Sequence, residues 1–477
     1  MVNAAEIRCW CGVLLLAAMV LTAAAWLRGA EYDEQYTLFL TAGIPRPDWP
    51  RTVFPAGTVT ALQQGHATLA GIALDLRTTD VHPPLYFWAV SVWRTVFGPS
   101  LLAARMLSVL CGVISLGLIG NIARRCTISS ELAMLFTLGC YGFVYTNAIA
   151  RGFAPALMLT LSGVALLLTR RTILAGLCFG AACCCNYLAV FVAAAAIATA
   201  GAWPAALAAL PFLAVDGWFF AAQHGARPGQ FPPFDVWASL LRLAQYQTAS
   251  VFGGLPLYAD GIGRVAVGAI VGLASAGLLA SIAMVRPPHS GTKIRILLAA
   301  AAATPFGLLL LGAMFDNTPI ELRYLSFGLP FIALLAAAAP RRGRVLLPLI
   351  LVTQCAGIGG LLFAPSTMQP ARAAAADAAR LVGDGVVLLP RGNDGVGIVG
   401  AFGTEAPPSL NLLVVRPTDA IADQVAPYHR VVLALLGQDR DSSATIAVWH
   451  AAFATPNWRR VAIGANLEVY ERTDNGE

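Results

Sequence analysis

The chain has 477 residues, of which 58% are hydrophobic and 12% charged, with a formal net charge of +6. A soluble domain carries about twice that share of charge, so disorder, nucleic-acid binding and an ordinary soluble enzyme are excluded and many membrane spans are implied. Lysine occurs once, at Lys293, which removes a P-loop or Schiff-base lysine from consideration.

Apolar stretches long enough for spans, about 20 residues each, fall near 11–27, 104–122, 132–149, 152–169, 173–186, 187–200, 202–221, 263–284, 294–313, 324–340 and 345–364. The stretch 173–200 is long for one helix and short for two, with Asn186 and Tyr187 in its middle. The positive-inside rule puts Arg124-Arg125, Arg170-Arg171, the Arg286-to-Arg295 loop and Arg341-Arg342-Arg344 on the cytoplasmic side. An even number of crossings must then separate Arg171 from Arg286, which favours two short spans in 173–200. The amino terminus is expected inside and everything after Pro365 outside, in an inner-membrane protein with a periplasmic or extracellular tail. The first segment is read as an uncleaved span, although Ala23-Ala24-Ala25 resembles a signal-peptide cleavage site.

The charge balance divides the chain in the same place. Residues 1–365 hold 22 basic and 13 acidic groups, and 366–477 hold 9 basic and 12 acidic. The reading is therefore a polytopic α-helical membrane module, 1–365, followed by a small external α/β domain, 366–477. In the tail, strands are expected at Val386–Leu389, Asn411–Val415, Arg430–Leu435 and Leu467–Tyr470. Helices are expected at Ala371–Val382 and Ser442–Phe453. Gly383-Asp384-Gly385 and Asn393-Asp394-Gly395 read as turns. All ten cysteines lie between Cys9 and Cys355. Cys183-Cys184-Cys185 lacks paired ligand spacing and sits in an apolar run, so it reads as packing rather than as a zinc site.

Three external parts remain: 28–103, Gln223–Ile262 with Pro228, Pro232, Pro233 and Trp237, and the tail. In the first, Glu31-Tyr32-Asp33-Glu34 follows the first span directly. These acids are either an interfacial helix cap or a general base with a second carboxylate beside it. Asp80-Val81-His82-Pro83-Pro84-Leu85-Tyr86 opens a segment through Phe97 that carries Trp88, Trp93 and Arg94. It is too short to span and reads as an interfacial helix. Arg105, Arg151 and Arg323-Tyr324 each begin a span at the outer face. They either snorkel and pair with a nearby acid, or clamp an anionic lipid headgroup. Asp216 is an intramembrane acid near the outer end of its span.

The order of these features resembles a known family. An external Asp33-Glu34 comes first, then His82-Pro83-Pro84-Leu85-Tyr86, Phe97-Gly98, Ala104-Arg105-Met106-Leu107-Ser108, Arg151-Gly152-Phe153, and Arg323-Tyr324-Leu325 with Pro330. This is similar to the polyprenyl-phosphate-sugar-dependent membrane glycosyltransferases, the protein O-mannosyltransferase and aminoarabinose transferase relatives with the C-type glycosyltransferase (GT-C) fold. The likeness is strongest over 28–170. It implies an inverting transfer from a lipid-phosphate sugar to an external lipid, glycan or protein acceptor. Asp33 would be the base and Glu34 its orienting neighbour. Arg151 and Arg323, with Arg105 third, would hold the donor phosphate, and His82, Asp80 and Tyr324 would support the site. Two features depart from the family. Gly152-Phe153 stands where a proline–aromatic pair is common, and the helper lysine has no external counterpart. No metal ligand set is identified, and dependence on a divalent metal stays open. An envelope glycan polymerase or ligase using lipid-linked donors, or a secondary transporter, are the alternatives.

Overall fold

A computed structural model describes residues 4–223, 231–285, 291–340, 345–364, 370–437, 439–464 and 466–473. Pro228, Arg286, the Arg341-Arg342-Arg344 cluster and the Pro365 boundary lie outside the described residues. The chain forms two compact units. One comprises Met1–Leu27, Leu76–Ala89 and Arg105–Ala364. The other comprises Arg28–Asp75, Val90–Ala104 and Pro365–Glu477. The expected division at residue 365 differs from this: most of the first external segment is built into the same unit as the tail.

The first unit is helical. Among the described residues, five helices are long and apolar enough to cross a bilayer: Arg8–Leu27, Leu101–Arg125, Trp203–Gln223, Gly261–Ala283 and Gly291–Phe315. Shorter apolar helices run at Ser130–Gly139, Phe153–Leu167, Thr172–Cys185, Ala189–Ala200, Leu322–Ala338 and Leu347–Phe363. Ile262, Val265, Leu279 and Phe306 are 90%, 73%, 68% and 68% exposed. Apolar surface on that scale suits lipid rather than water, and the chain is a multi-pass membrane protein. The ambiguous stretch 173–200 forms two helices, because Asn186 takes an extended conformation and ends the first. Helices of 14 and 12 residues are about 21 and 18 Å long at 1.5 Å per residue, short of the roughly 30 Å hydrocarbon core. The second external segment is not wholly irregular. Asp235 caps a helix, Val236–Phe252, by accepting from the Ala238 amide at 2.6 Å. The cysteine triplet is buried, and among the described residues no three His, Cys, Asp or Glu groups converge as a metal set.

The second unit is built on a six-stranded sheet. Its strands are β1 (Phe54–Pro55), β2 (Val386–Pro390), β3 (Asn411–Val415), β4 (Arg430–Ala434), β5 (Trp458–Ile463) and β6 (Leu467–Arg472), in the order β1-β3-β2-β4-β6-β5. Strands β3, β2 and β4 are parallel; the others pair antiparallel. In β2, Val387 and Leu389 face one apolar core, with Phe39, Trp49, Phe54, Val399 and Phe402. Val386 and Leu388 face another, with Trp449, Phe453 and Tyr470. A strand covered on both faces has no polar side, which is why this run is entirely apolar. Helices Pro370–Leu381, Gly397–Glu405 and Arg440–Phe453 flank the sheet. The four expected strands and two expected helices are present, and Gly383 and Gly395 take positive φ (55° and 72°) in the turns read there.

Several elements of this unit go beyond the sequence reading, among them the helices Tyr32–Ala42 and Gly57–Leu62, strands β1 and β5, and the helix Gly397–Glu405. The last presents Gly397, Gly400 and Gly403 to its neighbours. A Cβ on them would lie 2.9 Å from Tyr32 Cβ, 2.8 Å from Gln35 Cγ and 2.4 Å from Val59 Cγ2. The glycine face is thus what lets the helix Tyr32–Ala42 come close. The segment expected to be interfacial is the helix Leu85–Phe97. Val92, Val96 and Phe97 are exposed on it, while Tyr86, Phe87 and Val90 are buried.

Candidate functional site

In the helical unit, residues far apart in sequence meet around His82. Its Nδ1 lies 3.1 Å from Asp80 Oδ1, and its Nε2 lies 2.8 Å from Arg151 Nη2, which is 3.4 Å from Nδ1 as well. A carboxylate only accepts and a guanidinium only donates, so the ring proton belongs on Nδ1, toward Asp80, with Nε2 turned to Arg151. Asp80 and Arg151 are buried (3% and 4% exposed), whereas a quarter of the His82 side chain is open. The Asp80 carboxylate also accepts from the Val81 amide at 2.8 Å, fixing the approach to the double proline.

Gln223, the last residue of its apolar helix, fastens this loop. Its amide donates to Leu76 O at 3.0 Å and His82 O at 2.9 Å, and Tyr187 donates to its oxygen at 2.9 Å. Sequence reasoning missed Gln223; the available signal was a buried polar group ending an apolar helix. Gly152, the N-cap of Phe153–Leu167, places Arg151. A Cβ there would stand 2.4 Å from Cys185 O, so no side chain fits. That contact accounts for glycine where the resemblance leads one to expect a proline.

Arg151 and Arg323 are linked through aromatic rings. Phe153 stacks on Tyr324 with centroids 6.3 Å apart, and Phe327 lies as close to Phe153. The Arg323 guanidinium is 5.6 Å from the Tyr324 ring and pairs with Glu321 at 2.6 Å. Its side chain is 17% exposed and that of Glu321 33%. The structure thus brings Asp80, His82, Arg151, Tyr324 and Arg323 into one neighbourhood. Arg105 has another partner: it is 2% exposed and donates to Ala25 O at 2.7 Å, tying its helix to the end of the first span.

Asp33 and Glu34 belong to the second unit. Glu31 is the N-cap of the helix Tyr32–Ala42, and its carboxylate accepts from the Glu34 amide while Glu34 Oε2 accepts from the Glu31 amide at 3.0 Å. This reciprocal pair is a capping box. Arg28 forms a buried ion pair with Glu31, and the Ala30 amide donates to Glu405 at 2.6 Å. Glu34 is fully buried, whereas Asp33, one residue earlier in the same first turn, is half-buried. Carboxylates there are favoured by the helix dipole. Burial, reinforced by Asp439, pushes the Tyr32 hydroxyl up to about 12, so it stays protonated beside Asp33. Arg94 of the Leu85–Phe97 helix is structural: it is 2% exposed and donates to Leu38 O, Gln63 O and Pro99 O.

No family model and no curated protein matches the chain. Among solved structures it is similar to ArnT from Cupriavidus metallidurans bound to undecaprenyl phosphate, at 14% identity and TM-score 0.41, over 97% of this chain and 98% of that one. It is also similar to the arabinofuranosyltransferase AftD from mycobacteria, at 15% identity and TM-score 0.44, over 97% of this chain and 41% of that one. A third likeness is to the oligosaccharyltransferase of Archaeoglobus fulgidus, at 12% identity and TM-score 0.37, over 84% and 64%.

Proposed function

We propose that this protein is an integral membrane glycosyltransferase that moves a sugar from a polyprenyl-phosphate donor to an acceptor at the outer face of the membrane. The observation that carries the reading is the convergence of Arg151, His82 and Asp80 at the start of an apolar helix, with Tyr324 and Arg323 alongside. A buried, oriented guanidinium at the end of a membrane helix suits a lipid phosphate. Asp80 fixes His82, and His82 fixes Arg151.

The acceptor oxygen attacks the anomeric carbon opposite the phosphate, and Asp33 takes the acceptor proton. The bond from that carbon to the phosphate oxygen breaks with its electron pair on the phosphate, so the configuration inverts. Arg151 and Arg323 stabilise the charge gathering on the leaving phosphate without moving a proton. Arg105, which gives one of its N–H groups to Ala25 O, is the third candidate. We propose further, from the arginine-rich loops, that the amino terminus faces the cytoplasm and the tail the outer side.

The test is Asp33→Asn in protein reconstituted with a labelled polyprenyl-phosphate sugar. Loss of a general base lowers turnover about 10²- to 10⁴-fold, with donor binding retained. Turnover within a few-fold of wild type would sink the assignment of Asp33.

A further inference from the structure

A second basic site lies in the helical unit, apart from the cluster around His82. A cavity of about 640 Å³ is lined by Leu118, Asn121 and Arg125 of one helix, by Ser162 and Thr169 on or just beyond another, and by Arg171. The spacing is that of facing helical stripes: 118, 121 and 125 share one face of Leu101–Arg125. Residues 162, 165, 166 and 169 share the facing stripe, which begins in Phe153–Leu167 and runs just past its end. Arg125 is the last residue of its helix, and Arg171 precedes the first residue of Thr172–Cys185. The cavity is therefore at helix ends, at the level where a span meets the membrane surface.

Its chemistry points to an anion. Asn121 Oδ1 accepts from Arg125 Nε at 3.1 Å, which orients that guanidinium. Among the described residues neither Arg125 nor Arg171 has a carboxylate within ion-pair distance. Ser162 and Thr169 line the cavity but donate their hydroxyl protons to Met158 O and Leu166 O at 2.8 and 2.9 Å, and the helix after Arg171 starts without a side-chain cap. Leu118, Ala165 and Leu166 supply an apolar floor. Two guanidinium groups above apolar surface between helix ends match a phosphodiester whose acyl chains enter the bilayer.

We infer that Arg125, oriented by Asn121, and Arg171 form a phosphate-group site that holds the headgroup of an anionic phospholipid. It is independent of the proposed transfer reaction. The experiment is native mass spectrometry of the full-length protein with dioctanoyl phosphatidylglycerol against dioctanoyl phosphatidylcholine. Wild type should retain phosphatidylglycerol preferentially. At about fivefold per arginine near a membrane surface, Arg125→Ala/Arg171→Ala should weaken that retention about 30-fold. Arg124→Ala/Arg170→Ala, which removes two neighbouring arginines outside the cavity lining, should leave it intact. If the alanine pair fails to fold, Arg125→Gln/Arg171→Gln carries the same expected loss. Inorganic phosphate separates the sources: resistance to it assigns a lipid headgroup, and displacement by it assigns free phosphate as the occupant. Equal retention of the two lipids by wild type overturns the site. So does an equal loss in the Arg124/Arg170 variant, which would mean diffuse surface charge.

Discussion

Glu34 offers the sharpest separation of structural from chemical roles, because two substitutions divide its functions. Its Oε2 accepts the Glu31 amide at 3.0 Å, and the residue is fully buried. Glu34→Ala removes that acceptor and leaves a buried N–H unpaired, at a cost of about 1–3 kcal/mol. Loss of the capping box works in the same direction. Glu34→Gln keeps an oxygen at the same reach and should cost little. The loss is local, so it is read as opening of the helix Tyr32–Ala42 by hydrogen exchange on the full-length protein. A penalty of about 2 kcal/mol corresponds to roughly 30-fold faster exchange over this helix in Glu34→Ala. Glu34→Gln should exchange within a few-fold of wild type and retain most of its transfer activity. If Glu34→Gln instead abolishes transfer as completely as Asp33→Asn while its exchange stays native, the carboxylate charge is chemically required. The structural assignment would then be wrong.

Gly403→Ala sets a new Cβ 2.4 Å from Val59 Cγ2, an overpacking cost of about 1–3 kcal/mol that should lower the thermal transition. Gly268→Ala, in a helix with nothing within 4 Å of the added atom, should hold or raise it at the same scan rate, and the reverse ranking would refute the packing argument. Arg105→Ala breaks the 2.7 Å bond to Ala25 O and should cost about 1.5–3 kcal/mol of stability while leaving KM for the donor unchanged; a KM rise matching that of Arg151→Ala would place Arg105 at the phosphate site. Glu471 is bonded by Arg430 across the sheet, which holds its carboxyl below the ordinary 4.5. A depressed folded-state pKa gives stability that is present above about 4.5 and lost as pH falls through the lower value, so protection of β4 and β6 should fade at acid pH in wild type and lose that dependence in Arg430→Ala.

Much of this fold was legible because apolar runs leave few choices. A strand buried on both faces, such as Val386–Pro390, is marked by its uninterrupted apolar character. The membrane helices are marked the same way. The pieces that were not legible are those whose residues answer to a partner. Gly397–Glu405 has three glycines, each costing a free helix about 1 kcal/mol, and is helical because its glycine face meets Tyr32, Gln35 and Val59. Strand β5 is mostly exposed and carries Arg459 and Arg460, which hides its period. Strand β1 is two residues paired to Leu412 and Asn411, more than 350 positions away, and no local pattern encodes that.

The candidate residues divide for a related reason. An arginine or acid at a helix end looks the same in sequence whether it serves a ligand or the backbone, and only the partner decides. Arg105 bonds a carbonyl, Glu34 an amide, and Arg94 three carbonyls and the Thr41 hydroxyl; bonds of this kind tie the chain together. Arg151 finds an imidazole, itself held by Asp80 and by Gln223 at its backbone. The contact of Arg151 with His82 brings the Arg-Gly-Phe and His-Pro-Pro motifs together at the start of one apolar helix, and that joint placement is what the proposed lipid-phosphate site draws on.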